Sequence, residues 1–156
     1  MAWTTPKTFT AASVLTAAEM NTYVSDNTAA LAARAYFVPL TTPLTSTSWD
    51  GDARSTTAKT LIDLSEVFSV PAGIKAVLIG LAIRDSGSAT KDCFFIVSPN
   101  DTDAIGLAMS CMTVNDRYQR GVLICPCDAN GDIYFQCAAS GSGTLDVSLQ
   151  IWGYWL

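Results

Sequence analysis

The chain has 156 residues, 49% of them hydrophobic and 15% charged, with nine Lys and Arg against fourteen Asp and Glu and no histidine. So few charges with a mean hydropathy of +0.28 argue against disorder, and a net charge of -5 argues against a nucleic-acid partner. Without histidine there is no Ser-His-Asp triad, no Cys-His pair and no His-ligated metal.

The length predicts one main folded domain with a short appendage. The first residues, Met1 to Lys7, carry no apolar core of a signal peptide. The longest strongly apolar stretch, Ala76 to Ile83, falls far short of the roughly 20 residues that span a bilayer. The expectation is a protein made in the cytosol, with no membrane insertion.

Residues 1–36 read as an extended arm and one helix. The arm is Thr-rich and carries two large aromatics, Trp3 and Phe9. Such side chains either dock on another surface or fold back onto the helix. Thr16 to Glu19 forms a capping box, in which hydroxyl and carboxylate each accept from the other's backbone N–H. The helix then runs through Met20, Tyr23, Val24, Leu31 and Ala35, favoured by abundant alanine. Its apolar stripe is too narrow to hold it folded alone, so it needs a partner surface.

Residues 37–156 read as strands. Asp52 to Lys59 is polar and predicted as a loop. Thr60 to Leu64 and Val67 to Val70 are strand-like, followed by a turn at Pro71 to Gly73. Lys75 to Arg84 is apolar at nearly every position, as in a central strand covered on both faces. Further strands are predicted over Cys93 to Ser98, Ala104 to Val114, Tyr118 to Cys125 and Ile133 to Ala138. Asn130-Gly131 marks a tight turn. The last strand, Thr144 to Tyr154, alternates: Leu145, Val147, Leu149 and Ile151 inward, Asp146, Ser148, Gln150 and Trp152 outward. Short strands at regular spacing predict an antiparallel β-sandwich, jelly-roll-like, behind the arm and helix.

The candidate chemistry is thin. Cys93, Cys111, Cys125, Cys127 and Cys137 mostly have apolar neighbours and read as small buried hydrophobes. A thiolate site at Cys125-Pro126-Cys127 lacks the spacing of structural zinc sites, and a disulfide stays open. Asp50 and Asp52 beside Trp49 could serve glycoside hydrolysis or bind Ca²⁺, but Asp-Gly is also ordinary turn chemistry. Asp128, Asn130 and Asp132 open like a Ca²⁺ loop, then fail at Ile133 and Ala139. The only glutamates are Glu19 and Glu66. No catalytic residue, metal site or cofactor is therefore assigned. Trp152, Tyr154 and Trp155 crowd the C-terminus, either locking the final strand, packing on a neighbouring subunit or stacking on sugar rings.

Trp3, Pro6, Phe9, the run Val14 to Asn21, and Val24, Asp26, Asn27 and Leu31 resemble an N-terminal pattern of tailed-bacteriophage structural proteins. That pattern begins W-x-x-P-x-x-[WF] and continues through [VL]-T-A-A-[ED]-[LM]-N to R-D-N. Ser25 stands where the family has Arg, and Ala12 and Ser13 where it often has Gly and an acidic residue. The resemblance covers about a fifth of the chain. Ser48 to Asp52, with Asp63 to Ser65 and Val70 to Gly73, is more weakly similar to β-rich domains of phage surface proteins. The resemblance implies a non-enzymatic virion component, a short tail fibre, tail-associated piece or capsid decoration protein. It would be anchored to other virion proteins by its arm and helix, with Trp3, Phe9, Met20, Val24 and Leu31 as contacts, and homotrimeric. The alternative is a host-glycan-binding module using Trp49, Trp152, Tyr154 or Trp155. A small hydrolase using Asp50 and Asp52 is a third reading.

Overall fold

The computed structural model describes residues 4–5, 7–8, 14, 16–32, 36–87, 92–102 and 106–156. The chain divides into two compact units, Met1–Tyr36 and Phe37–Leu156.

In the first unit the capping box forms: Glu19 N–H donates to Thr16 Oγ1 at 3.2 Å, and Thr16 N–H to Glu19 Oε2 at 3.0 Å. The helix is continuous in three parts, α-helical over Ala17–Glu19, π-helical over Met20–Ser25 and α-helical again over Asp26–Ala32. The arm lies back along it at two described points. Asn27 pairs with the Thr4 backbone, accepting from Thr4 N–H at 2.9 Å and donating to Thr4 O at 2.7 Å. Lys7 forms an ion pair with Glu19. Among the described residues of this unit only Asn27 and Ala30 are buried. Trp3, Phe9 and Ala35 lie outside the described residues.

The second unit is an antiparallel β-sandwich. Its strands are β1 (Phe37–Leu44), β2 (Asp50–Arg54), β3 (Thr57–Ile62), β4 (Ala76–Asp85), β5 (Phe94–Ser98), β6 (Leu107–Ser110), β7 (Gln119–Pro126), β8 (Ile133–Ala138) and β9 (Leu145–Trp155). One sheet runs β1-β9-β4-β7 with β2 also on β9, and the other runs β3-β8-β5-β6. The pairs β2 with β9, β3 with β8, β4 with β7 and β5 with β6 are nested, so β2 to β9 form one long antiparallel ribbon. Rolling that ribbon brings β4 against β9 and β5 against β8, which is the jelly-roll order. Between the sheets lie Val77, Ile79, Leu81 and Ile83 of β4 and Leu145, Val147, Leu149 and Ile151 of β9, facing Phe95, Val97, Ile133 and Phe135.

Several elements differ from the sequence reading. Asp52 to Lys59 is mostly strand, the polar ends of β2 and β3 on sheet edges where polarity costs little. Phe37–Leu44, with its two prolines, is an edge strand, the place where a missing N–H is tolerated. Val67 and Phe68 belong to a short helix, Leu64–Phe68, capped by Asp63 accepting from Glu66 N–H at 2.9 Å. Of Ala104 to Val114 only Leu107–Ser110 is strand among the described residues. Among the described residues of the second unit β4 is covered on one face only: Val77, Ile79, Leu81, Ile83 and Asp85 are buried, while Ala76, Leu78, Gly80, Ala82 and Arg84 are half-exposed.

Candidate functional site

The open face of the β1-β9-β4-β7 sheet is the candidate site, and the strand register lays it out in rows. Residues directly opposite in an antiparallel pair point to the same face. At one end Arg84 faces Asp146 and donates to it from Nε at 3.0 Å. Arg84 also lies 3.3 Å from Asp116 and 4.7 Å over the Tyr118 ring. The next row is Asp50, Ser148, Ala82 and Arg120, followed by Gln150, Gly80 and Val122. Beyond them the surface turns apolar, with Leu78 beside Ile124 and Ala76 between Trp155 and Pro126.

The two middle rows form a groove of about 450 Å³, lined by Asp50, Gly80, Ala82, Tyr118, Arg120, Ser148 and Gln150. Its floor is low because Gly80 and Ala82 carry almost no side chain. Gly80 also seats Trp152: a Cβ there would stand 2.7 Å from the indole Nε1. Arg120 and Asp50 stand on opposite outer strands, three strand spacings apart, roughly 14 Å. Tyr118 is stacked by Arg84 and, at 5.7 Å, by Arg120, which fixes both guanidinium groups beside the groove.

The structure separates the aromatics that the sequence grouped together. Trp152 is on the open face and 41% exposed. Trp49 is a correction: it is 5% exposed, edge-on to Phe135 at 4.9 Å and to Phe95 at 5.8 Å, with the Arg54 guanidinium 3.9 Å over its ring. A residue so enclosed is a core residue, not a sugar platform. Tyr154 is also turned inward. The register slips between Leu78 and Ile79, so Tyr154 falls opposite buried Val77 and packs against the core. Trp155 packs at a tilt against Phe37 with ring centroids 4.5 Å apart, and Phe37 lies so close over Gly153 that a Cβ there would meet its ring at 2.5 Å. These contacts fasten β1 to the end of β9.

The two carboxylates of the hydrolase reading diverge. A bulge at Gly51, φ +85°, puts Asp50 opposite outward Ser148 and Asp52 opposite inward Val147. Only Asp50 lines the groove. Asp128, Asn130 and Asp132 form a turn: the Asp128 carboxylate accepts from the N–H groups of Asn130, Gly131 and Asp132 at 2.9–3.0 Å. Among the described residues no three His, Cys, Asp or Glu side chains are gathered to hold a metal ion. Cys93, Cys111, Cys125 and Cys137 are buried, and Cys127 is partly buried against the core.

On the helical unit, Met20, Val24 and Leu31 are all exposed, at 43, 47 and 52%. Their spacing of four and seven residues returns to one side of a helix. No helix among the described residues is long and apolar enough to cross a membrane.

Two polar residues were not singled out by their chemistry in the sequence. Asn27 holds the arm, and Asp85, 2% exposed, ties β4 to the turn between β8 and β9. Gly80, Tyr118 and Arg120 were missed as groove residues because they come together only through register. The one available signal was the pair of small residues, Gly80 and Ala82, on the same face of an otherwise bulky strand.

No protein-family model matches this chain, and no curated protein matches it.

Proposed function

We propose that this protein is a non-enzymatic structural component of a tailed-bacteriophage particle. Residues 1–36 attach it to other virion proteins, and the jelly-roll is displayed on the virion surface as a short tail-fibre or capsid-decoration domain, in a homotrimer. The observation that carries the attachment reading is the helix itself. Its apolar side chains Met20, Val24 and Leu31 face solvent, while Asn27 and Ala30 are the buried residues among those described in the unit. A short helix with so small a core is marginal in water and gains its stability by packing on something else. The N-terminal likeness to tailed-phage proteins supplies the kind of partner.

The test is a full-length Met20→Ser, Val24→Ser, Leu31→Ser variant, supplied in place of the wild type during particle assembly. Incorporation, read by immunoblot of purified particles, falls at least tenfold, and the melting temperature of the jelly-roll is unchanged. Incorporation at the wild-type level defeats the attachment reading.

A further inference from the structure

We propose that the groove over Gly80 and Ala82 is a binding site for a neutral saccharide. The inference goes beyond the attachment reading and uses none of its residues.

The groove has the size of a small-molecule site, about 450 Å³, within the usual range of roughly 300–1,000 Å³. Its polar groups offer both halves of hydroxyl recognition. Arg120 supplies only donors and Asp50 only acceptors, while the Ser148 hydroxyl and the Gln150 amide supply both. A sugar hydroxyl both donates and accepts, so it can use all four. The charges select for neutrality. Asp50 and Arg120 carry opposite charges, so an ion of either sign meets one like charge in the groove. The floor supplies the apolar contact. Ala82 keeps the sheet low, the Trp152 indole lies over Gly80, and Tyr118 lines the groove. A ring can therefore rest over Ala82 beside the Tyr118 side chain, with its hydroxyls directed at the polar rim. The site rests on strands β2, β4, β7 and β9 of one sheet, so it is formed before the ligand arrives.

The full-length protein is tested on an array of immobilised oligosaccharides containing neutral members (hexoses, deoxyhexoses, N-acetylhexosamines) and acidic ones (sialylated, sulfated, phosphorylated). Hits are titrated by calorimetry with the free oligosaccharide. The expected result is binding of neutral members. Arg120→Met weakens it at least tenfold by removing the donors, and Ala82→Leu does so by filling the floor. Both positions face outward, so the melting temperature reports an intact fold. Asp50→Asn, on the edge strand, gives a third reading should Ala82→Leu disturb the sheet. Absence of binding to every neutral member, binding confined to acidic members, or wild-type affinity in Arg120→Met and Asp50→Asn overturns the proposal. The Met20, Val24, Leu31 variant binds the same oligosaccharides as wild type while losing incorporation, so the two proposals fail separately.

Discussion

Asp85 is the residue whose substitution tests the fold most directly. Its carboxylate is 2% exposed at the end of β4. It accepts from Gly87 N–H at 2.8 Å, Ser140 N–H at 3.0 Å and Thr144 Oγ1 at 3.0 Å, and from the Ser140 hydroxyl. Burial alone pushes the carboxyl up, but the donors of Ser140, Gly87 and Thr144 outweigh it and bring the pKa down to about 2. Against an ordinary value of 3.8, linkage gives about 2 kcal/mol of stability from this one ionisation. The sign follows from the depressed folded value. The contribution is fully present above the unfolded pKa and is lost as pH falls through the folded one, so the window runs from about pH 5 down to about pH 2. Asp85→Asn keeps the volume, removes the charge and sets an amide N–H₂ against donors that then lack a partner, costing about 2–4 kcal/mol at neutral pH. Urea unfolding at a series of pH values measures both. Wild type loses about 2 kcal/mol more than Asp85→Asn between pH 5 and pH 2. Equal acid dependence in the two proteins, or an Asn variant as stable as wild type at pH 7, refutes the reasoning.

Three further outcomes follow from the packing and the charges. Trp49→Ala costs about 3–5 kcal/mol in urea unfolding, because it empties the space between Phe95, Phe135 and the Arg54 guanidinium; a cost below about 1 kcal/mol contradicts a core position. The Lys7 ion pair, helped by the Thr16 N–H and hydroxyl, holds the Glu19 carboxyl at about 2. The arm–helix clip is therefore complete above the ordinary value of 4.5 and is lost as pH falls through about 2, and a carboxyl-carbon NMR titration midpoint near 4.5 would falsify the pairing. Burial pushes the Cys111, Cys125 and Cys127 thiols up to about 12, leaving on the order of 10⁻⁴ thiolate at pH 8. Native protein then reacts slowly with a disulfide reagent such as DTNB at these positions and promptly after urea, whereas equal rates in both states contradict the burial.

The fold was legible wherever one residue type repeated at one period. β9 is the clearest case. Leu145, Val147, Leu149 and Ile151 alternate with polar residues, and all four are fully buried. The capping box at Thr16 and Glu19 was equally local, needing only four consecutive residues. Three edge strands were only partly legible, for a physical reason. β2 and the first half of β3 have little apolar surface to cover and read as a loop, and β1 carries two prolines that obscure its strand bounds. What holds them is the ladder to β9 and β8, which is not written in their own residues.

The open face shows where local reading stops. The run from Ala76 to Ile83 is apolar at every position but Gly80, which reads as a strand covered twice. The structure covers it once, so its second face needs another explanation. Side-chain size provides it. The buried face is Val, Ile, Leu, Ile, whereas the open face is Ala, Leu, Gly, Ala, and a small side chain on an open sheet lowers the floor relative to its neighbours. Walls come from other strands: Asp50 from β2, Ser148 and Gln150 from β9, Arg120 from β7. Between Asp50 and Gln150 lie a hundred residues of chain, and only the rolled ribbon, with β9 shared between β2 and β4, makes them neighbours. The bulge at Gly51 then decides which of two adjacent carboxylates joins the groove, a choice that no composition or spacing records. The apolar strand is thus half core and half floor, and its small residues are what separate the two.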